Sequence, residues 1–561
     1  MSRTTNNHSQ LLAQLTDDFL HAYFAFFPTA ASSLGLHEYD GQVTDLSSAA
    51  IERRVATLQQ QRQRLEQIAP HHLERLEAFD YALLHWRIDA ELWGWTEQRE
   101  HTRNPMIYIF NATVDTYIKR NYAPLEVRAA ALVRHLHQLP QTMQAARHNL
   151  VPHIPRVLIE ETLNIASGLV SFLTYSVPET FGRGSDNPPL RDNPRLERDI
   201  WIACDVAVAT INDFCAYLLN ELLPVAHDDF AIGAEHFRNM LRYNELVDIP
   251  LEHLLAIGEA DLEKNKAAII AIARQLDPNC SIQEQMGAMG RNHPGADNLL
   301  DETRNLLGDL RDFLIARDLV TLPTDVPCYV EETPPYDRWA FAMMDTAGPF
   351  EQEAIESFYY ITLPEADWPP EQVEGWLTRF DYATLTGMSI HEAYPGHYVH
   401  FTTARNAPTR LARVFDTYTH YESWAHYSEQ MMLEQGYGNG DLHLHMAQLA
   451  EALVRNCRYI CAIKMHTQGM TLEEATNFFR EHAYMDEVTA TKEARRGTHD
   501  PGYLSYTLGK LMLLKLLEDY KAAYGDTFSL KRFHDEYIGY GSPPIPILRS
   551  MLLPDDNKVL L

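Results

Sequence analysis

The stretch His391-Glu392-Ala393-Tyr394-Pro395-Gly396-His397 holds the residue types that metal-assisted hydrolysis requires. Zinc binds neutral imidazole nitrogens, and a catalytic zinc site leaves one position open for water. A carboxylate beside the first imidazole is placed to take a proton from that water. In the usual pattern the two histidines lie one helical turn apart on a single face. Here they are six residues apart. Six residues of regular helix turn through about 600°, which leaves the rings roughly 120° apart. The helix must therefore break between them. Pro395 removes an i−4 hydrogen bond and crowds the carbonyl of His391, and Gly396 tolerates the unusual dihedrals that follow. Looping out this pair returns His397 to His391. The plain alternative is a helix that ends in a Pro-Gly turn with histidines nearby.

A third ligand is needed. Glu422, His426 and Glu429 stand at i, i+4 and i+7 in a segment that reads as helix, so they share one face. Glu422 can complete a His, His, Glu site, and His426 and Glu429 can orient the ligands from behind. The competing reading is a solvated polar face.

The elements that must position these residues are mostly helices. Apolar residues recur at helical spacing over residues 10–28, 47–68, 72–97, 125–149, 157–174, 194–224, 250–276, 281–291 and 296–318. Residues 228–248 carry few helix signals, and Pro178 to Pro194 reads as a loop. Near residue 320 the character changes, with prolines at 323, 327, 334 and 335. Trp339–Met344 and Phe358–Leu363 then read as strands of a small sheet flanking a turn at Gly348-Pro349. Helices resume over 370–380, 410–435, 441–468, 471–483, 486–496 and 503–523. The expected fold class is mainly α, with a small β-sheet beside the metal-site helix. The expected domains are 1–325 and 326–561.

Composition bounds the partners. The 561 residues carry a net charge of −30, with 45% hydrophobic and 22% charged residues. This is a globular composition, and its acidity disfavours nucleic acid and anionic membranes. No uninterrupted run of eighteen apolar residues occurs, so no transmembrane helix is expected. The N-terminus lacks the pattern of a signal peptide. Six cysteines without a C-x-x-C pair suit a reducing compartment, and the expected location is cytoplasmic. Cys457 and Cys461, four apart in an apolar helical stretch, are read as core.

The motif H-E-x-x-P-G-H followed by Y-E-x-W-A-x-Y-x-E resembles the DUF885 family of bacterial proteins, which are grouped by resemblance with the glutamate-zincin metallopeptidases. The opening, from Asp18-Phe19 through Pro28 and Leu34-Gly35 to Tyr39-Asp40, is also similar to that family, so the resemblance spans nearly the whole chain. It implies a two-lobed, zincin-like helical body around a deep cleft, with residues 1–325 walling it. It also implies one zinc per chain on His391, His397 and Glu422, with Glu392 as general base. Many members have Gln where this chain has His400. The segment His499–Lys510 resembles the family's C-terminal Pro-Gly motif and the Gly-Tyr-rich segment of thimet-type oligopeptidases, in which tyrosines stabilise the oxyanion. Tyr506 is the first candidate for that role, then Tyr503 and His499; the alternative for the tyrosines is a core position at i,i+3. Arg495 and Arg496 can anchor a substrate carboxylate or cap a helix dipole.

The expectation is a zinc-dependent metallopeptidase acting on short peptides, with no nucleic acid or membrane partner. A zinc amidohydrolase on a non-peptide amide is the related alternative. A helical binding protein with a non-catalytic metal site is the distant one, and Glu392 argues against it, because a structural zinc needs no adjacent base.

Overall fold

The computed structural model describes residues 3–182, 190, 192–324, 326–334, 338, 340–556 and 558–561. Among these residues the chain is mainly α-helical with one three-stranded sheet. Pro335 and Trp339, and the middle of the loop expected between Pro178 and Pro194, lie outside the described residues.

Two compact units are present. The first comprises Met1–Phe230 and Ala347–Ile355, and the second Ala231–Thr346 and Glu356–Leu561. The division therefore falls at residue 230, whereas the prolines suggested 325. The reason is packing. Helix Leu251–Leu276 lies against helix Leu442–Thr467, where the Tyr459 ring fills the space a side chain at Gly258 would need. Tyr459 donates to the Leu254 carbonyl at 2.9 Å, Asn265 to Asn456 at 2.8 Å and Lys464 to Glu259 at 2.8 Å. These contacts join residues some two hundred positions apart, which no local signal reveals.

In the first unit, helices Arg3–Phe26, Ser48–Leu65 and Arg75–Trp93 bury Phe19, Leu58, Leu83 and Leu84. A buried bidentate pair, Arg54 to Glu91 at 2.6 and 2.8 Å, ties the second of these helices to the third. Two helical stretches of this unit, Arg156–Thr180 and Pro194–Val225, are long and apolar enough to cross a membrane by length and composition alone, with a third of each apolar window buried. This corrects the expectation of no such segment, which considered only uninterrupted apolar runs. A few polar residues interrupt both.

The excursion 347–355 is held by close backbone approach. An added Cβ at Gly35 or Gly348 would collide with the backbone opposite, and Phe350 N–H donates to the Leu34 carbonyl at 2.9 Å. His37 lies between two carboxylates, 2.8 Å from Glu351 and 3.2 Å from Asp40, with its ring stacked on Tyr122. Burial opposes a charged imidazole, but the bonds and charges of Asp40 and Glu351 prevail and raise its pKa above the usual value. Both carboxylates are held below theirs despite burial, by His37 and further hydrogen bonds. A raised histidine pKa stabilises fully below the unfolded value, about 6.5, and the gain is lost as pH rises through the folded value. Amide exchange in 347–355, corrected for intrinsic rate, is therefore expected to accelerate as pH rises past that point. His37→Ala is expected to abolish the dependence. Protection that stays constant from about pH 6 to 9 would contradict this.

In the second unit, strands β1 (Cys328–Glu332), β2 (Ala342–Asp345) and β3 (Ser357–Ile361) form a sheet in the order β1-β3-β2. β1 runs parallel to β3, pairing Val330 with Tyr359, and β2 runs antiparallel, pairing Met344 with Tyr359. The two expected strands correspond to β2 and β3. β1 was not expected: proline flanks it and only Val330 is buried, so it lacks an apolar alternation. The helices that carry the site are α1 (Tyr382–Glu392), α2 (His397–Ala404), α3 (Tyr418–Glu434), α4 (Leu442–Thr467), α5 (Glu487–His499) and α6 (Ser505–Tyr524). Helix Ala234–Asn244, in the stretch with few helix signals, buries Phe237, Met240 and Leu241.

Candidate metal centre

Asp381 starts α1 by accepting the N–H groups of Ala383 and Thr384, both at 3.1 Å. The helix stops at Glu392. Gly396 N–H then folds back to the Ile390 carbonyl at 3.0 Å. A Cβ on Gly396 would overlap the His391 carbonyl. Gly396 has φ −63° and ψ −131°, so it is not in the left-handed region, and its close approach to the His391 carbonyl is what excludes a side chain. Trp424 of α3 donates its indole N–H to the Pro395 carbonyl at 2.8 Å and pins the turn. α2 restarts at His397, and the His391 and His397 rings meet at 4.8 Å between centroids, with planes 87° apart. The break thus does what the six-residue spacing demands.

α3 supplies the third group. Glu422 Oε2 lies 3.4 Å from His391 Nε2 and 3.7 Å from His397 Nε2. Ligands at about 2.0–2.1 Å from a tetrahedral zinc are about 3.3 Å apart, so the three atoms need only a small adjustment to share one ion. Among the described residues, His391, His397 and Glu422 are the one group of potential ligands whose donor atoms all lie within 4.8 Å of each other. Glu422 Oε2 is buried and accepts no hydrogen bond. A buried carboxylate oxygen left so is costly, and a cation at the point where the imidazoles converge removes the cost.

The electrostatics agree. Burial opposes charge on His391, yet Glu422 and Glu429 raise its pKa to about 10. The two carboxylates therefore demand a positive charge between them, which either a proton or a metal ion supplies. Burial lowers the His397 pKa to about 3, which leaves a neutral imidazole fit to ligate. Behind His391, Glu429 accepts from Nδ1 at 2.8 Å and lies 3.3 Å from His426 and 3.0 Å from Arg455. Burial pushes the Glu429 carboxyl up, but Arg455, His391 and His426 hold it well below the usual range. The carboxylate fixes the His391 ring so that Nε2 points at Glu422. Glu429→Ala is expected to weaken metal binding about 10–100-fold, as measured by competition with a chelating dye; unchanged affinity would show that the ring needs no such partner.

Glu392 follows His391 at the end of α1. Its Oε2 accepts the Met344 N–H of β2 at 3.0 Å. Burial raises its pKa to about 7, with His391 opposing. It is only half-buried, unlike the three converging groups. A carboxyl poised near neutrality can both accept and return a proton.

The remaining candidates separate. α6 lies so close to α3 that a Cβ at Gly509 would strike the Thr419 carbonyl, and this brings the Tyr506 hydroxyl to 2.8 Å from that of Tyr418. The guanidinium groups of Arg455 and Arg458 lie 5.7 and 5.1 Å from the Tyr506 ring centre. Tyr503, by contrast, is fully buried beneath Gly497, so its hydroxyl is closed off from substrate. This takes the core alternative for that residue. His499 is half-buried at the end of α5. Arg495 is exposed, and Arg496 is bound to Asp500 at 3.0 Å and to the Tyr418 hydroxyl at 2.9 Å. Arg496 therefore does not stand as a free bidentate anchor. His400 is buried against the Gly541 carbonyl and Ser542. Sequence reasoning missed Arg455 and Met344, which carry no local signal. It also missed the part played by Trp424, although the tryptophan stands inside the second motif.

Known proteins provide the context. A search of curated sequences finds no match. Among solved structures, a "putative lipoprotein of unknown function" from Shewanella oneidensis superposes with a TM-score of 0.81 at 24% identity, over 96% of this chain and 99% of its own. A "putative lipoprotein" from Colwellia psychrerythraea gives 0.80 at 17% identity, over 98% and 99%. At such identities the likeness is one of fold. The family model described as bacterial protein of unknown function, DUF885, matches residues 28–552, and the chain belongs to that family.

Proposed function

We propose that this protein is a zinc-dependent hydrolase of amide bonds, with peptides as its substrates. The observation that carries the reading is the convergence of His391 Nε2, His397 Nε2 and Glu422 Oε2, with Glu392 the next residue after His391. Two neutral imidazoles and one carboxylate are a donor set that suits zinc and leaves a fourth position open. A zinc ion held there would supply Lewis acidity and lower the pKa of water in its open position toward neutrality. Glu392 takes a proton from the attacking water and returns it to the leaving amine, roles that its pKa of about 7 suits. Tyr506, whose ring centre lies 5.7 Å from the Arg455 guanidinium that pairs with Glu429, is assigned to donate to the oxygen on which negative charge develops.

The test is a mixed peptide library, offered to the zinc-loaded protein and read by mass spectrometry. Defined cleavage products that vanish with a chelator and return with zinc are expected. Turnover of small N-acyl amides alone would assign an amidohydrolase, and zinc binding without turnover of either class would assign a binding protein. Short peptides and a folded protein offered in parallel test the expected size limit. Location is decided by fractionation. The two solved relatives carry the description "putative lipoprotein", so recovery with membranes would place this chain with them, and recovery in the soluble fraction would favour the cytoplasm.

A further inference from the structure

Tyr418 opens α3 one turn before Glu422, on the same face. Its hydroxyl lies 2.9 Å from a guanidinium nitrogen of Arg496 and 2.8 Å from the Tyr506 hydroxyl. The direction of these bonds follows from the inventory of donors. A guanidinium only donates, so the Tyr418 oxygen accepts from Arg496. The single Tyr418 proton is then given to the Tyr506 oxygen. Burial pushes the Tyr418 phenol far above the usual range, and neighbouring Tyr506 and Glu422 add to this, so that proton stays on. Asp500 completes the chain by holding Arg496 at 3.0 Å. The Tyr506 oxygen thus accepts from Tyr418, and its own O–H has no acceptor among the described residues. The ring of Tyr506 is kept in place by the neighbouring guanidiniums. Arg458 is itself fixed by a bidentate pair with Glu493 at 2.7 and 2.8 Å.

We propose that Tyr418 is a positioning residue, which relays the Arg496 hydrogen bond to Tyr506 and so turns the Tyr506 proton toward the oxyanion of the substrate. This rests on the hydrolase reading above. It also gives Arg496 a different task from gripping a substrate carboxylate, since its Nε and Nη2 are engaged by Asp500 and Tyr418.

Tyr418→Phe keeps the ring and removes only the hydroxyl. The variant is expected to retain zinc and KM and to lose roughly tenfold in kcat, about the net worth of one hydrogen bond. Tyr506→Phe is expected to lose about 100–1000-fold, and the double variant no more than Tyr506→Phe alone, because Tyr418 acts through Tyr506. Calorimetry supplies a readout apart from turnover: Tyr418→Phe should weaken a phosphinic peptide, which mimics the tetrahedral intermediate, about tenfold while leaving the product peptide's affinity unchanged. Should Tyr418→Phe fail to fold, Arg496→Met tests the same relay. It lets Tyr418 accept from Tyr506, which redirects the Tyr506 proton, and it should lower kcat at constant KM. Full kcat in the chosen variant, or losses that add in the double variant, would overturn the relay. Absence of zinc binding and peptide cleavage in the unaltered protein would overturn the hydrolase reading and the relay with it; intact cleavage with an inert Tyr418→Phe would overturn the relay alone.

Discussion

Glu392→Gln is expected to keep its metal and to lose at least about two decades of kcat, the usual worth of a general base. The substitution preserves the shape of the side chain, and the Met344 N–H can still bond to the amide oxygen. What is lost is the ability to take up a proton. In the native protein, burial raises the Glu392 pKa to about 7, with Glu422 adding and His391 opposing. A carboxyl shifted upward in this way holds a proton more readily than a free one, which suits a residue that first accepts and then donates. Because Glu392 is not among the three converging groups, zinc content should remain at one per chain. Near-normal kcat in a metal-replete Glu392→Gln protein would remove this residue from the chemistry.

Glu422→Ala should have the larger effect on metal binding, and the purified protein should retain little zinc. The carboxylate is one of the three proposed ligands, and its Oε2 lies 3.4 and 3.7 Å from the two imidazole nitrogens. Glu429 is poorly placed to substitute for it. Its two oxygens are engaged by His391, His426 and Arg455, and turning it inward would strand the buried Arg455. Full zinc occupancy in Glu422→Ala would mean that the third ligand lies elsewhere.

The centre of the site was legible in the sequence because its geometry is local. The six-residue spacing demanded a break, Pro395 and Gly396 provided one, and Glu422 to Glu429 stood on one face of a helix. The reason for Gly396 was only half legible, since its closeness to the His391 carbonyl depends on how the chain folds back. Arg455 arrives from a helix whose sequence, rich in Ala, Leu and Cys, reads as core, so its meeting with Glu429 is a tertiary fact. The same holds for Tyr503 and Tyr506. Three residues apart, they were ranked but not separated by the sequence, and only the packing of Gly497 and Gly509 buries one and brings the other to Tyr418. Tyr418 stood just outside the stretch that drew attention. The division into units was illegible for a related reason. Prolines near 325 mark the start of the sheet, whereas the helices from 234 to 317 join the second unit through long-range contacts with α4 and β1, such as Arg304 to the Val330 carbonyl at 2.8 Å.

The central claim is one catalytic metal ion on His391, His397 and Glu422, and anomalous diffraction across the zinc edge of metal-loaded crystals tests it most directly. A single anomalous peak is expected, about 2.0–2.2 Å from His391 Nε2, His397 Nε2 and a Glu422 oxygen, with the fourth position facing Glu392. A peak held by other side chains, or crystals loaded with zinc that show none at these three residues, would contradict the account.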